Sequence, residues 1–277
     1  MLKKIEKGFT KKLTESAVML ALTLILSYLK LLDLPYGGSV TLCSMLPTIL
    51  IAYRHGMLWG FGVGIANGIL QLLMGFNTLS YATSASAVVA IIMLDYIVAF
   101  AVSGFGGVFK GVIKNQSASI IVSTVFVCFL RYVCHVISGC TVWAGLSIPD
   151  SEALLYSLAY NATYMLPELI IAVAGAAYLS RGIDFRCENL ARITAENTPK
   201  SSLWLNRIGY LGGLTAFITV VLLFAAKLQN PDTGDFDITG IANVNYNAVI
   251  AVAVIGTIWT LIFLLIAKHK KLSVDKA

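Results

Sequence analysis

Apolar residues in this chain fall into long runs broken by short polar intervals, a pattern that predicts helices surrounded by lipid. The runs extend through Ser16 to Leu32, Val40 to Tyr53, Met57 to Met74, Ala85 to Phe109, Ala118 to Trp143, Ala153 to Leu179, Leu203 to Ala226 and Tyr246 to Ala267. A helix needs about 20 residues to cross the hydrocarbon core, so these runs predict eight spanning helices with the second one short. Inside them, the conspicuous ionisable side chains are Asp95, Arg131, His135 and Glu168. Charge at membrane depth is costly and usually faces a protein interior or a wet cavity, which makes these four positions the leading functional candidates.

Composition agrees with the pattern: 58% of residues are hydrophobic and only 12% charged. The mean hydropathy of +0.82 excludes a compact soluble domain. The formal charge of +6 reads as topology, because positive residues collect in cytoplasmic loops. With both termini cytoplasmic, Lys3, Lys4, Lys7, Lys11, Lys12, Arg54, Lys110, Lys114, Arg181, Arg186, Arg192, Lys200, Arg207, Lys268, Lys270, Lys271 and Lys276 lie inside, and only Lys30 and Lys227 outside. The external loops then carry Asp33, Asp150, Glu152, Asp232, Asp235 and Asp237. The basic start and first apolar run lack a small-x-small cleavage pattern and are read as an uncleaved first helix. Cys43, Cys128, Cys134, Cys140 and Cys187 form no C-x-x-C pair, so neither a metal site nor a disulfide framework is expected.

One composition shift divides the chain. The stretch Arg181 to Ser202 is charged and contains Asn189, Asn197 and Pro199. It predicts a six-helix membrane core at residues 1–182, a cytoplasmic linker at 183–202 and a two-helix membrane extension at 203–277. The extension has no intramembrane charge. Its external connection, Gln229 to Asn245, is acidic and turn-rich, with Asn230-Pro231 and Thr233-Gly234. The chemistry is therefore expected in the core.

Arg131, His135 and Gly139 follow one another at i, i+4 and i+8 along one stripe of the fifth helix, with Trp143 a further turn on. A cation, an imidazole, a glycine and an indole on one face suit a flat heteroaromatic ligand stacked on Trp143 and hydrogen-bonded through His135. An interfacial tryptophan and an interhelical hydrogen bond from the histidine would give the same pattern. An unpaired buried Asp95 must take up a proton or find positive charge, from a cationic ligand or from Arg131, and the sequence leaves the partner open. Glu168, deeper in the sixth helix after Pro167, is expected to form a structural ion pair with Arg131. Tyr156, Asn161 and Tyr164 could close a pocket in the outer half of the bilayer. Ala17 and Ala21 make a small-residue strip on the first helix, and the glycines at 60, 62, 64 and 68 permit close packing of the third. No P-loop, H-E-x-x-H or G-x-S-x-G is present, so the chain is expected to be neither an ATPase nor a hydrolase. A proton- or ion-coupled secondary transporter of a small cationic solute, using Asp95, His135 and Glu168 as a relay, is the alternative to a binding subunit.

Several blocks in order are similar to those of one known family. They are Ala17-x-x-x-Ala21, Met45-Leu-Pro-Thr-Ile-Leu-Ile-Ala-Tyr-Arg-His-Gly56, Leu94-Asp-Tyr-Ile-Val-Ala-Phe100, Phe129-Leu-Arg-Tyr-x-x-His-x-x-x-Gly-x-x-x-Trp143 and Tyr156-x4-Asn161. From about Leu13 to Leu179 the chain resembles the thiamine-binding S component of energy-coupling factor (ECF) transporters. The resemblance implies an all-α, six-helix membrane fold in a bacterial plasma membrane, here with two additional C-terminal helices. It implies a non-enzymatic subunit that needs no cofactor, binds thiamine or a thiamine precursor from outside, and docks through Ala17 and Ala21 on a membrane coupling subunit with two ATPases. By position, His135 and Trp143 would flank the ligand rings, Gly139 would leave room beside them, and Tyr156 and Asn161 would supply polar contacts. Asp95 stands where the family has glutamate, beside a matching Tyr96. Asn67 stands where the family commonly has tryptophan, and Tyr36 supplies the aromatic of the first external loop.

Overall fold

The structure is a computed structural model that describes residues 2–145, 150–193, 200–228, 230 and 236–274. The chain forms two compact units, Met1–Ile193 and Thr194–Ala277. The first begins with α1 (Leu2–Tyr28), followed by an antiparallel hairpin of β1 (Lys30–Asp33) and β2 (Ser39–Thr41) in which Leu32 faces Val40 and Asp33 faces Ser39. Then come α2 (Leu46–His55), α3 (Met57–Met74), α4 (Ala85–Gly107), α5 (Gln116–Gly145) and α6 (Asp150–Gly182). A small hairpin of β3 (Ile183–Asp184) and β4 (Ala191–Arg192) closes the unit. Of the stretch expected as a linker, residues 183–192 thus form this hairpin, while residues 194–199 lie outside the described residues.

The first two apolar runs do not form the helices that their length predicts. The run ending at Leu32 leaves the helix at Tyr28 and enters β1. The run starting at Val40 opens in β2, and its helix has only 10 residues, about 15 Å against a hydrocarbon core of about 30 Å. The reason is what surrounds it: every residue from Leu46 to Tyr53 is buried. Its apolar character serves a protein core, as a run of 10–14 apolar residues often does. Pro47 sits in its first turn, where the missing N–H costs nothing, and Gly56 at φ 97° ends it in a conformation that disfavours other residues. The six helices from α3 onward are long and apolar enough to cross a membrane.

Around α2 the core assembles from both sides. Leu46, Leu50 and Tyr53 pack with Ile120, Ala176 and Phe185, while Met45 and Ile49 pack with Val102, Val127 and Cys128. Small residues let α3 approach α4: a Cβ on Gly64 would stand 2.5 Å from the Phe100 carbonyl oxygen, and one on Gly68 2.5 Å from that of Tyr96. Gly60 meets Ala52 in the same way, whereas Gly62, on the other face, meets nothing. Polar pairs join α1 to α3, with Trp59 Nε1 donating to Ser16 Oγ at 2.8 Å and Gln71 Nε2 to Ser27 Oγ at 2.6 Å. At the end of α2, the Arg54 guanidinium grips both Glu15 oxygens at 2.5 and 2.9 Å and donates to the Cys187 and Glu188 carbonyls at 2.8 and 2.6 Å. That side chain ties α1, α2 and the segment between β3 and β4 together.

The second unit pairs α7 (Lys200–Ala225) with α8 (Tyr246–Val274) in antiparallel fashion. Gly209, Gly212 and Gly213 receive Phe263, Trp259 and Thr260, and Ala216 fills the space at Gly256. Ser202 Oγ donates to the Ala267 carbonyl at 2.8 Å. Only 11% and 6% of the apolar windows of these two helices are buried, as expected of helices whose outer faces meet lipid. Of their connection, residues 229 and 231–235, including Pro231, Asp232, Thr233, Gly234 and Asp235, lie outside the described residues.

Candidate ligand-binding site

A cavity of about 330 Å³ lies within the first unit, between the β1–β2 hairpin, α3, α4, α5 and α6, large enough for a small ligand. Asp95, Arg131, His135 and Glu168 all line it, with Tyr36, Tyr96, Gly139 and Asn161. The structure therefore gathers the four isolated ionisable residues, from three different helices, on one wall.

Asp95 reaches that wall through irregular backbone. Helix α4 is α-helical at Ala85–Ala90, π-helical at Ile91–Val98 and 3₁₀-helical at Val102–Gly107. The Ala99 N–H bonds to the Leu94 carbonyl, an i to i−5 bond that widens the turn and re-aims the side chains it contains. Asp95 then turns toward α5, where its Oδ1 lies 2.7 Å from His135 Nδ1 and its Oδ2 accepts from Ser138 Oγ at 2.7 Å. Tyr96 turns toward the end of α3, with its hydroxyl 3.1 Å from both the Gly75 carbonyl and Thr78 Oγ1. The sequence offers a ligand or Arg131 as the partner of Asp95. The structure supplies a third answer, His135 and Ser138.

The network continues inward. Arg131 Nε donates to His135 Nε2 at 3.0 Å. An arginine N–H can only donate, so Nε2 accepts, and the imidazole proton resides on Nδ1, directed at Asp95. One turn of α5 therefore orients the carboxylate through a fixed histidine tautomer. Arg131 Nη1 stands 3.9 Å from Glu168 Oε2, an ion pair beyond hydrogen-bond reach, while Glu168 Oε1 accepts from Thr41 Oγ1 at 2.5 Å and lies 3.2 Å from Ser44 Oγ. The Glu168 carboxylate thereby links the cavity to β2 and to the turn before α2.

Aromatic rings also line the cavity. Tyr36 has φ 64°, a left-handed conformation rare for a bulky residue, and its ring meets Tyr81 and Tyr160 at 5.2 and 6.4 Å. Tyr160 receives the Gly38 N–H at 3.0 Å and donates to the Pro35 carbonyl, so it fastens the hairpin turn to α6. Tyr164 stacks edge-on to both Tyr160 and His135, at 5.7 and 6.2 Å, and its hydroxyl meets Asn161 Oδ1 at 2.5 Å. Asn161 Nδ2 is spent on α5 and α6, donating to the Ser157 carbonyl at 2.8 Å and to that of His135 at 3.3 Å.

Three expected residues stand differently from their sequence reading. Gly139 lines the cavity, but the space of its missing Cβ is occupied by Ser157 Oγ, so this glycine admits the neighbouring helix. Tyr156 is half-buried one turn before Tyr160, and it is Tyr160 that faces the cavity. Asn67, on α3, is 1% exposed and does not line the cavity. The Trp143 side chain lies outside the described residues. Ala17 and Ala21 are exposed on α1, on a face that also presents Val18 and Ile25. Sequence reading missed Ser138, Thr41, Ser44 and Tyr160. Only Ser138, three residues after His135 on the same helix, carried a local signal.

Comparison with known proteins places this geometry in context. The sequence model of a family described as "Thiamine transporter protein (Thia_YuaJ)" matches residues 13–183. A thiamine transporter, ThiT of Bacillus subtilis, is 36% identical over 171 residues, covering 58% of this chain and 85% of that protein. The solved structure of ThiT from Listeria monocytogenes aligns with a TM-score of 0.50 at 24% identity, covering 62% of this chain and 93% of that one, which bears on the fold.

Proposed function

From the premise that this chain belongs to the thiamine transporter protein family, a family of membrane transport proteins and not of enzymes, we propose that its cavity binds thiamine or a thiamine precursor. The observation that carries the reading is the pairing of a partly exposed carboxylate with several tyrosines in one cavity. Asp95 retains 22% of its side-chain exposure although both oxygens are already hydrogen-bonded. Thiamine is a flat, permanently cationic, two-ring solute. It gains from the charge of Asp95 and from cation–π contact, the latter worth about 0.5–2 kcal/mol. Tyr36, Tyr96, His135, Asn161 and Trp143 complete the proposed contacts, and Tyr156 and Gly139 support α5 and α6.

The same reading makes the chain the substrate-binding S component of an ATP-driven ECF importer. It binds outside, with both termini cytoplasmic, and docks through Ala17 and Ala21 on a coupling subunit with two ATPases. The exposed face of α1 supports this role, since small residues let another helix approach closely. The secondary-carrier alternative draws on the chain Asp95, His135, Arg131, Glu168. A proton relay through it is interrupted at Arg131, whose guanidinium does not deprotonate in proteins. Calorimetric titration of the purified chain should show tight thiamine binding without ATP, and a response only to a different solute overturns the ligand. Thiamine uptake should vanish in cells lacking the ECF ATPases, whereas persistent uptake establishes a secondary carrier.

A further inference from the structure

Among the described residues lining the cavity, Arg131 is the one with a buried side-chain donor that lacks a hydrogen-bond acceptor. Its Nε is committed to His135 at 3.0 Å, and its guanidinium lies over the Phe100 ring, 4.5 Å from the centroid. Its Nη1 is buried and has no hydrogen-bond acceptor among the described residues. Glu168 would be the natural acceptor, but it stands 3.9 Å away, with one oxygen engaged by Thr41 and Ser44. A buried charged donor without an acceptor is costly, and such exceptions call for an explanation. The cation–π contact with Phe100 and the bond to His135 favour the present position of the guanidinium over one closer to Glu168.

We infer that Arg131 is a ligand-contacting residue whose Nη1 donates to an uncharged acceptor atom of the bound cation. The inference rests on the thiamine reading and deepens it. Charge selects the kind of acceptor. Asp95 and Glu168 contribute two negative charges and Arg131 one positive, while Lys30 on the cavity lining is already paired with Asp33 at 3.0 Å, so these groups leave a net −1 that a monocation neutralises, whereas a phosphate ester would add negative charge. The imidazole of His135 separates the two recognition groups: Asp95 binds its Nδ1 and Arg131 its Nε2. The cavity thus reads a cation at one end and a neutral acceptor one imidazole width deeper. Thiamine offers two kinds of such acceptor, the hydroxyl oxygen of its hydroxyethyl arm and the two ring nitrogens of its pyrimidine.

The test titrates the full-length chain with thiamine, with an analogue bearing ethyl in place of hydroxyethyl, and with one whose pyrimidine ring nitrogens are replaced by C–H. Arg131→Met should weaken thiamine by about 10- to 100-fold while leaving the analogue that lacks the contacted acceptor within about 3-fold of its affinity for the unaltered chain. The analogue that is spared identifies the acceptor. Equal weakening of all three ligands, or unchanged thiamine affinity, overturns the inference while the thiamine reading stands. Should Arg131→Met fail to fold, Arg131→Lys keeps the charge beside Glu168 but replaces the rigid fork that spans His135 and the ligand with a single, flexibly held nitrogen. It should lose discrimination between thiamine and the diagnostic analogue, and retained discrimination overturns the inference. Failure of the unaltered chain to bind thiamine overturns the underlying reading, and the inference with it.

Discussion

Asp95 concentrates the chemistry of the site in one carboxylate that the protein has already oriented. Replacing it with asparagine preserves the shape. The new amide oxygen can still accept from His135, and the Ser138 hydroxyl can rotate to receive the amide N–H. Charge is what is lost. Asp95→Asn should therefore weaken thiamine by about 1.5–3 kcal/mol and an uncharged analogue much less, read by titration of both ligands. Equal losses together with a lowered melting temperature would remove Asp95 from ligand contact. Gly139 makes the complementary case. Because Ser157 Oγ fills the space of its missing Cβ, Gly139→Ala should cost about 1–3 kcal/mol of stability through overpacking of α5 against α6, measurable in the ligand-free protein. A glycine that simply left room for the ligand would show lost affinity with unchanged stability. At this scale the sequence made conspicuous the four ionisable residues that line the cavity, because charge within apolar runs is visible without a structure. It did not give their partners: Asp95 and His135 are 40 positions apart, and nothing local specifies that they meet.

Among the elements, α2 and α4 depart most from regular spanning helices, and both departures serve the site. The π-helical stretch of α4 is what aims Asp95 at α5 and Tyr96 at α3. Helix α2 is short because the β1–β2 hairpin occupies chain that a full span would need, and that hairpin places Tyr36 and Thr41 on the cavity wall. Arg54 anchors the far end of α2, with its side chain only 7% exposed. Arg54→Met should cost about 3–5 kcal/mol, since it strands Glu15 without its cation and leaves carbonyls of the segment after β3 unpaired. The loss would appear as a lower melting temperature in detergent. An unchanged melting temperature would mean that Glu15 is held sufficiently by His55, whose Nε2 lies 2.7 Å away.

For the whole molecule, the division into two units separates binding from what surrounds it. Every residue lining the cavity belongs to Met1–Ile193, so deleting residues 203–277 should leave thiamine affinity nearly unchanged. A large loss on titration would assign the second unit a part in the site. The exposed alanines of α1 belong to the proposed docking on a partner subunit. Ala17→Leu combined with Ala21→Leu should abolish thiamine uptake by cells while sparing ligand binding, because neither side chain lines the cavity. Parallel loss of both would show that the strip supports the fold.

Hydropathy and charge distribution by themselves determined that this is a multi-pass membrane protein, and ordered blocks from Ala17 to Asn161 determined its family. Both are properties of local segments, and the free energy of placing an apolar run in lipid is close to a sum over its residues. Tertiary structure alone decided that α2 is wrapped by protein, that Gly139 faces a helix, that Tyr160 and not Tyr156 reaches the cavity, and that Asp95 bonds His135 and Ser138. These outcomes depend on which buried polar groups converge from distant parts of the chain. In a low-dielectric interior each group must find a partner, but the sequence states only the need. The three-dimensional packing of α4, α5 and α6 makes the choice.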